Sequence, residues 1–165
     1  LVGGHCIGVD PYYLLHKSEK MGYKPTLLHS ARTINNSVAS FIVDKTIQLM
    51  MDADKTIKSA SVLIMGYTFK EDCADTRNTK VRDIVHGLES FSCEVSIFDP
   101  YLPASSNTNF INNPFDSIKK YDCIIIPVSH REFFSYTTND FKQLFNGKLV
   151  LLDIKGIYNE SSWKL

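Results

Sequence analysis

The sequence predicts an α/β protein: a parallel sheet with helices on both faces, preceded by one long helix. Three observations predict it. Short, mainly apolar runs at residues 61–65, 94–98, 122–128 and 148–154, the first of them continuously apolar up to Gly66, have the length and composition of buried parallel strands. Helix-like segments separate these runs, and strands alternating with helices require right-handed crossovers and a parallel sheet. Ahead of the first run, residues 31–55 place apolar side chains at close to a 3.6-residue period.

Composition bounds the function classes. A chain of 165 residues holds one ordinary domain with a sizeable core, or a domain plus an appendage. With 44% hydrophobic and 22% charged residues, it is not a disordered tail, a collagen-like fibre or a coiled-coil rod. Lys plus Arg and Asp plus Glu both number 18, so no global field draws the chain to nucleic acid or an anionic membrane. Any anion site must therefore be local. No apolar run approaches the roughly 20 residues of a membrane span. Cys6, Cys73, Cys93 and Cys123 lack close metal-type spacing such as C-x-x-C, so no metal site is predicted and a reduced, cytoplasmic protein is expected.

The elements follow in order. Residues 1–13 read as a Gly-rich loop ending near Pro11, and 12–21 as a short helix stopped by Gly22 with Pro25 close behind. So turn-rich a segment normally lies between elements, which predicts that the chain is part of a longer protein. Ser30 is the expected N-cap of the long helix at 31–55. Its stripe comprises Ile34, Val38, Phe41, Ile42, Leu49 and Met50, and Val43, Ile47 and Met51 widen it past one face. That helix fits either the core of this domain or a contact with another domain or subunit; its length and its place before the sheet favour the contact. The expected division is 1–30, 31–57 and 58–165. Within the last part come a strand at 61–65 ending at Gly66, and a helix at 79–91 with Val81, Ile84, Val85 and Leu88 inward. A strand at 94–98 follows, closed by Asp99-Pro100. Then come a surface loop at 103–113, a short helix at 114–120, a strand at 122–128, a helix at 139–145 and a strand at 148–154.

In an open parallel sheet, ligands bind beyond the carboxyl ends of the strands. The connection after the first strand, 66–78, is long for a βα loop and carries Phe69, Lys70 and Arg77. Later strand ends bring Asp99 and Tyr101, then Ser129, His130 and Arg131, then Lys155 and Gly156. Following helices point their N-termini to the same edge. Convergence of Lys70, Arg77 and Lys155 points to a phosphorylated ligand. Each cation alone also fits a solvated loop, and Asp75 with Arg77 also fits a plain ion pair. Neither G-x-G-x-x-G after the first strand nor G-x-x-x-x-G-K-[ST] is present. Cys123 and Cys93 read as small hydrophobes at strands, and Cys73 as incidental. Cys6 follows two glycines and His5 in a loop that lets backbone approach a ligand, with Asp10 four residues on. A thiolate there could attack a carbonyl carbon, and a carboxylate could activate water. A buried, inert Cys6 fits the spacing equally well.

Gly3-Gly4-His5-Cys6-Ile7-Gly8-Val9-Asp10-Pro11 resembles the catalytic-cysteine segment of the UDP-glucose/GDP-mannose dehydrogenase family. Its form resembles that of the branch acting on UDP-N-acetylated hexosamines such as UDP-N-acetylmannosamine or UDP-N-acetylgalactosamine. Ala31-Arg32-x-x-Asn35 is similar to the start of the family's central helix. Gly66-x-x-Phe69-Lys70-x-x-x-x-Asp75-x-Arg77 is similar to the signature of its C-terminal nucleotide-sugar domain, and Asp99-Pro100 and Asp153-Ile154-Lys155-Gly156 fit that domain's later strand ends. The resemblance implies a Rossmann-like UDP-sugar-binding domain, a central helix that builds a homodimer, and an N-terminal NAD-binding domain not contained in this fragment, which should be inactive alone. It also implies oxidation of a sugar C6 hydroxyl to a carboxylate with two NAD+, through a cysteine thiohemiacetal and thioester. On that basis Cys6 is the nucleophile and Asp10 assists the water chemistry. Gly3, Phe69, Lys70 and Lys155 meet the UDP-sugar, and Arg77 reaches NAD. Lys155 stands where many members have Arg, keeping the charge without the bidentate fork. Two further readings stay open: a non-catalytic Rossmann-like module for a phosphorylated ligand or partner, and a structural interaction domain whose edge cations are only solvated.

Overall fold

A computed structural model describes residues 1–104, 109–116 and 118–165. Two helices lead, α1 (Asp10–Lys20) and α2 (Thr26–Asp52). Then follow β1 (Ser61–Met65), α3 (Val81–Ser90), β2 (Glu94–Phe98), β3 (Cys123–Ile126), α4 (Thr138–Lys142), β4 (Leu151–Asp153) and β5 (Trp163–Lys164). Single 3-10 turns occupy Pro114–Asp116 and Arg131–Ser135. The sheet runs β2-β1-β3-β4-β5 with every pair parallel.

Strand side chains alternate between two cores, as the two-residue period of a strand requires. Val62 and Ile64 of β1 join Val95, Ile97, Cys123, Ile125 and Leu152 under α2 and α3. Leu63 and Met65 join Ile124, Ile126 and Leu151 on the opposite face, closed by Phe133, Phe141 and Tyr158. Both faces are covered, so the strands are apolar on both sides apart from residues such as Glu94 and Ser96 of β2; each fully buried Leu or Ile contributes about 1.5–3 kcal/mol.

Several boundaries differ from the sequence expectation. Helix α1 starts at Asp10, before Pro11, because the fixed φ of proline suits a first helical turn and the Cys6 carbonyl accepts the Val9 and Asp10 amides. Helix α2 starts at Thr26, and Ser30 lies inside it, since nothing between Pro25 and Ser30 breaks a helix. Asp54, in a left-handed conformation, follows its end. The expected helix at 114–120 is one 3-10 turn; Ser117 lies outside the described residues, and 118–120 are not helical. Part of the expected loop at 103–113, residues 105–108, also lies outside them. Its far end is not a free surface loop: Ile97 donates to the Asn109 carbonyl and accepts from Ile111, which covers the β2 edge. The turn at Arg131–Ser135 and strand β5 have no counterpart in the sequence reading.

Helix α2 divides along its length. Ile42, Val43 and Met50 are buried, whereas Ile34, Phe41 and Met51 from the expected stripe are exposed. Among the described residues no helix is long and apolar enough to cross a membrane. The chain runs from β1 to β2 on one side and returns to β3 on the other, so the crevice between the tips of β1 and β3 is the topological switch point. Gly66 sits there at φ +96°, and a Cβ on it would lie 2.8 Å from Val128.

Candidate functional site

The 66–78 loop leaves the switch point and is pinned by a buried polar network. Asp99, at the tip of β2, accepts the Tyr67 amide at 2.6 Å and the Thr68 amide at 3.1 Å through Oδ2, and the Tyr101 amide at 2.9 Å through Oδ1. His130, after β3, is fully buried. Its Nδ1 accepts the Asp72 amide at 3.0 Å, which leaves the ring proton of the neutral imidazole on Nε2. Nε2 lies 3.1 Å from Asp99 Oδ2 and 3.2 Å from the Thr68 hydroxyl. Burial opposes the charge on Asp99, but hydrogen bonds from His130 and from the Tyr67 and Tyr101 amides outweigh it, so its pKa is lowered. The loop also closes on itself, with the Phe69 amide on the Asp75 carbonyl.

That loop brings Phe69 and Lys70 beside Lys155, which follows β4. Phe69, Lys70 and Lys155 line a small hollow of about 20 Å³ at the strand tips, together with Thr68, Glu71 and Val128. Lys70 Nζ lies 5.5 Å from the Phe69 ring centre. Lys155 pairs with Glu71 at 2.8 Å. Burial raises the Glu71 pKa, and its bonds from Lys155 and Ser129 reverse that to a net lowering. Arg77 lies outside the hollow: its Nη2 bonds Asp75 at 2.8 Å, with Nε also on that carboxylate, and its amide caps the same group. The Arg77 bonds hold Asp75 well below the usual carboxylate range.

The cysteine loop packs directly on this structure. Gly3 is buried, and a Cβ there would come 2.4 Å from the Asn78 carbonyl oxygen and 3.3 Å from Phe69 Cβ. Gly4, at φ +89°, meets the Phe69 ring in the same way, and its carbonyl accepts Asn78 Nδ2. Only glycines permit this approach. His5 Nε2 reaches Asp75 at 3.0 Å, so one carboxylate joins the cysteine loop to Arg77. Asn35 of α2 clamps the start of the loop through both its donor and its acceptor to Val2. Cys6 is free and exposed, not buried and inert. Asp10 is exposed, and its amide donates to the Cys6 carbonyl at 2.8 Å. Neither Cys6 nor Asp10 lines the strand-tip hollow.

The structure thus brings together Gly3, Phe69, Lys70 and Lys155, and links Arg77 to the cysteine loop through Asp75. Sequence reasoning missed Asp99 and His130 as the fixings of the loop, and Asn35, Asn78 and Glu71 as its contacts. The strand-tip positions of Asp99 and His130 were visible; their partners, far along the chain, were not. Asp72, His130 and Glu132 offer ligand atoms within 4.8 Å of one another. Both His130 nitrogens are already hydrogen-bonded, so a metal there would have to displace the network.

A parallel sheet that carries an aromatic, two lysines and a pinned loop to its carboxyl edge is a Rossmann-like ligand-binding domain, here joined to a long helix. The chain belongs to the UDP-glucose/GDP-mannose dehydrogenase family: residues 63–160 match the family's UDP binding domain and 1–37 its central domain. It is 40% identical over 158 residues to a UDP-N-acetyl-D-glucosamine 6-dehydrogenase of Salmonella typhi, covering 94% of this chain and 37% of that protein. A UDP-N-acetyl-mannosamine dehydrogenase structure from Staphylococcus aureus matches with a TM-score of 0.72 and 28% identity, over 98% of this chain and 36% of that one. A UDP-D-ManNAc dehydrogenase structure from Pyrococcus horikoshii shares the fold, with a TM-score of 0.84 and 23% identity over 99% of this chain and 38% of that one. The chain therefore spans little more than a third of the length of these relatives.

Proposed function

We propose that the chain forms the cysteine segment (1–30), central helix (31–57) and UDP-sugar domain (58–165) of an NAD-dependent dehydrogenase. Its reaction is oxidation of the C6 hydroxyl of a UDP-N-acetylhexosamine to a uronate. One observation carries the reading: the loop bearing an exposed Cys6 is seated on Phe69, beside the hollow of Lys70 and Lys155. The 40% identity to a UDP-N-acetyl-D-glucosamine 6-dehydrogenase supports the hexosamine class, and favours glucosamine over the mannosamine and galactosamine that the sequence motif brought forward.

In this reading Phe69, Lys70 and Lys155 receive the UDP-sugar, and the Gly3–Gly4 backbone lies along it. Cys6 Sγ, as thiolate, adds to the aldehyde-level C6 carbon, and at the thioester stage Asp10 takes a proton from the attacking water. NAD, when bound, supplies the two-electron acceptor that each oxidation needs. Arg77 fits such a cofactor: Asp75 fixes its guanidinium through Nε and Nη2, yet the side chain is 67% exposed and open to a diphosphate. In the full-length protein, Cys6→Ser should cut formation of reduced cofactor by at least about 10³-fold while UDP binding persists. Uronate formation at the normal rate by that variant would remove the mechanism.

The partner reading is a homodimer through α2, supported by Leu27, Ile34 and Phe41, exposed at seven-residue intervals on that helix. Sedimentation of the wild type should show a dimer and Ile34→Glu/Phe41→Glu a monomer; a monomeric wild type at micromolar concentration would reject it. A reducing cytoplasmic setting suits four cysteines that are all free, and cell fractionation checks it.

A further inference from the structure

Arg32 of α2 is only 8% exposed, and its Nε is buried with no hydrogen-bond partner. Its Nη1 donates to the Ile7 carbonyl at 3.2 Å, and its guanidinium lies against Tyr12, 5.6 Å from the ring centre, where it adds to the Asn36 hydrogen bond in lowering the pKa of that phenol. No carboxylate among the described residues pairs with it. Native proteins seldom bury an arginine without an anion, because the lost hydration of the cation is then uncompensated.

Arg32 lines a cleft of about 270 Å³ between the cysteine loop, α2 and the start of α3. Lys80 and Arg82 line it too, with Asp83 as its one carboxylate, so three cations face a single negative charge. Asp83 holds Lys80 at 3.2 Å, and Arg82 donates to the Tyr67 hydroxyl at 3.5 Å. The amide side chains of Asn36 and Asn78 stand on the same wall. At about 30 Å³ per water, the volume exceeds what a lone water or chloride would need. Arginine forks and amide donors in a cleft of excess positive charge are the chemistry that binds phosphoryl oxygens.

We propose that this cleft is an oxyanion site for a diphosphate group, free or carried by a nucleotide, with Arg32 as its buried anchor and Arg82 and Lys80 at its mouth. The site is separate from the strand-tip hollow, although Thr79 and Lys80 form a wall common to both, and it does not depend on the dehydrogenase reading.

The test is calorimetric titration of the full-length protein with inorganic diphosphate, and in parallel with ADP and UDP. Lys70→Ala should remove at most diphosphate bound at the strand-tip hollow and leave a second diphosphate site intact. Arg82→Gln and Arg32→Gln should each weaken it about tenfold, the loss of one charge-assisted contact. Arg82 is exposed, so its variant keeps the test sound if Arg32→Gln fails to fold. Equal affinity for diphosphate and both nucleotides assigns the free anion; tighter binding of a nucleotide assigns that nucleotide. Absence of diphosphate binding by the wild type overturns the proposal, as does unchanged binding by Arg82→Gln or loss of binding in Lys70→Ala alone.

Discussion

Asp99 is the residue on which the ligand loop most depends, and its removal can be worked through. The side chain is 2% exposed and accepts from four N–H groups: the Tyr67, Thr68 and Tyr101 amides and His130 Nε2. Asp99→Ala leaves all four without an acceptor. A buried donor left unsatisfied costs about 1–3 kcal/mol. With four donors orphaned at one site, we expect a loss of about 4 kcal/mol for the Ala variant on that basis. Asp99→Asn can keep its oxygen at the Oδ2 position, retaining three donors and turning its NH2 toward the Tyr101 amide, so about 1–3 kcal/mol is expected. Urea denaturation followed by far-ultraviolet circular dichroism measures both. The folded Asp99 pKa is lowered, so the unfolded chain takes up its proton first on acidification. Stability from this group is full above about pH 5 and is lost as pH falls through the ordinary value of about 3.9 toward the folded one. The Asn variant should lack that part of the acid slope. Equal losses for Ala and Asn, or both within about 0.5 kcal/mol of wild type, would refute the role given to the carboxylate.

The cysteines should separate by reactivity. Burial pushes the Cys93 and Cys123 thiols up, whereas Cys6 is exposed, so mass spectrometry of the folded protein treated with iodoacetamide should show Cys6 modified first and Cys123 only on unfolding; early labelling of Cys123 would contradict the packing. Glu71→Gln removes the carboxylate on Lys155 and should tighten UDP binding about threefold, a modest gain because the pair is exposed; weaker binding in titration would place Lys155 outside the nucleotide site.

Much of the fold is legible because local and tertiary signals coincide. Strands 61–65 and 94–98 are found to the residue, since each apolar run is closed by a residue that cannot continue it, Gly66 or the Asp99-Pro100 pair. The runs at 122–128 and 148–154 overreach: β3 is four residues long and β4 three, and pairing rather than hydrophobicity sets where a strand ends. The two residues of β5 are too short to carry a pattern. In α2 the period is right but the fate of each apolar residue is not. Ile42 and Met50 find the sheet and α3, while Ile34 and Phe41, closer to the helix start, do not. The site divides in the same way. Phe69, Lys70 and Lys155 meet because any parallel sheet gathers its post-strand loops. The Asp99–His130 pair, 31 residues apart, and the burial of Arg32 beneath Ile7 and Tyr12 depend on contacts that no local window contains.

The distribution of charge gives those distant contacts a consequence. Lys155 is paired with Glu71, Arg77 with Asp75, and Lys70 lies over Phe69, so the carboxyl edge is close to neutral despite its cations. Exposed pairs of this kind are worth about 0–1 kcal/mol, and an arriving phosphate can take a cation from its carboxylate at little cost. An anion arriving at the edge would then exchange partners with Glu71 and Asp75, and drawing Arg77 away would leave Asp75 to its contact with His5 of the cysteine loop. Arg32 has no carboxylate partner among the described residues to exchange; it holds the Ile7 carbonyl and lies over the Tyr12 ring. Its desolvation is already borne by the fold, so an anion in the cleft proposed beside α3 would displace no carboxylate, whereas one at the strand-tip edge would have to displace Glu71 or Asp75.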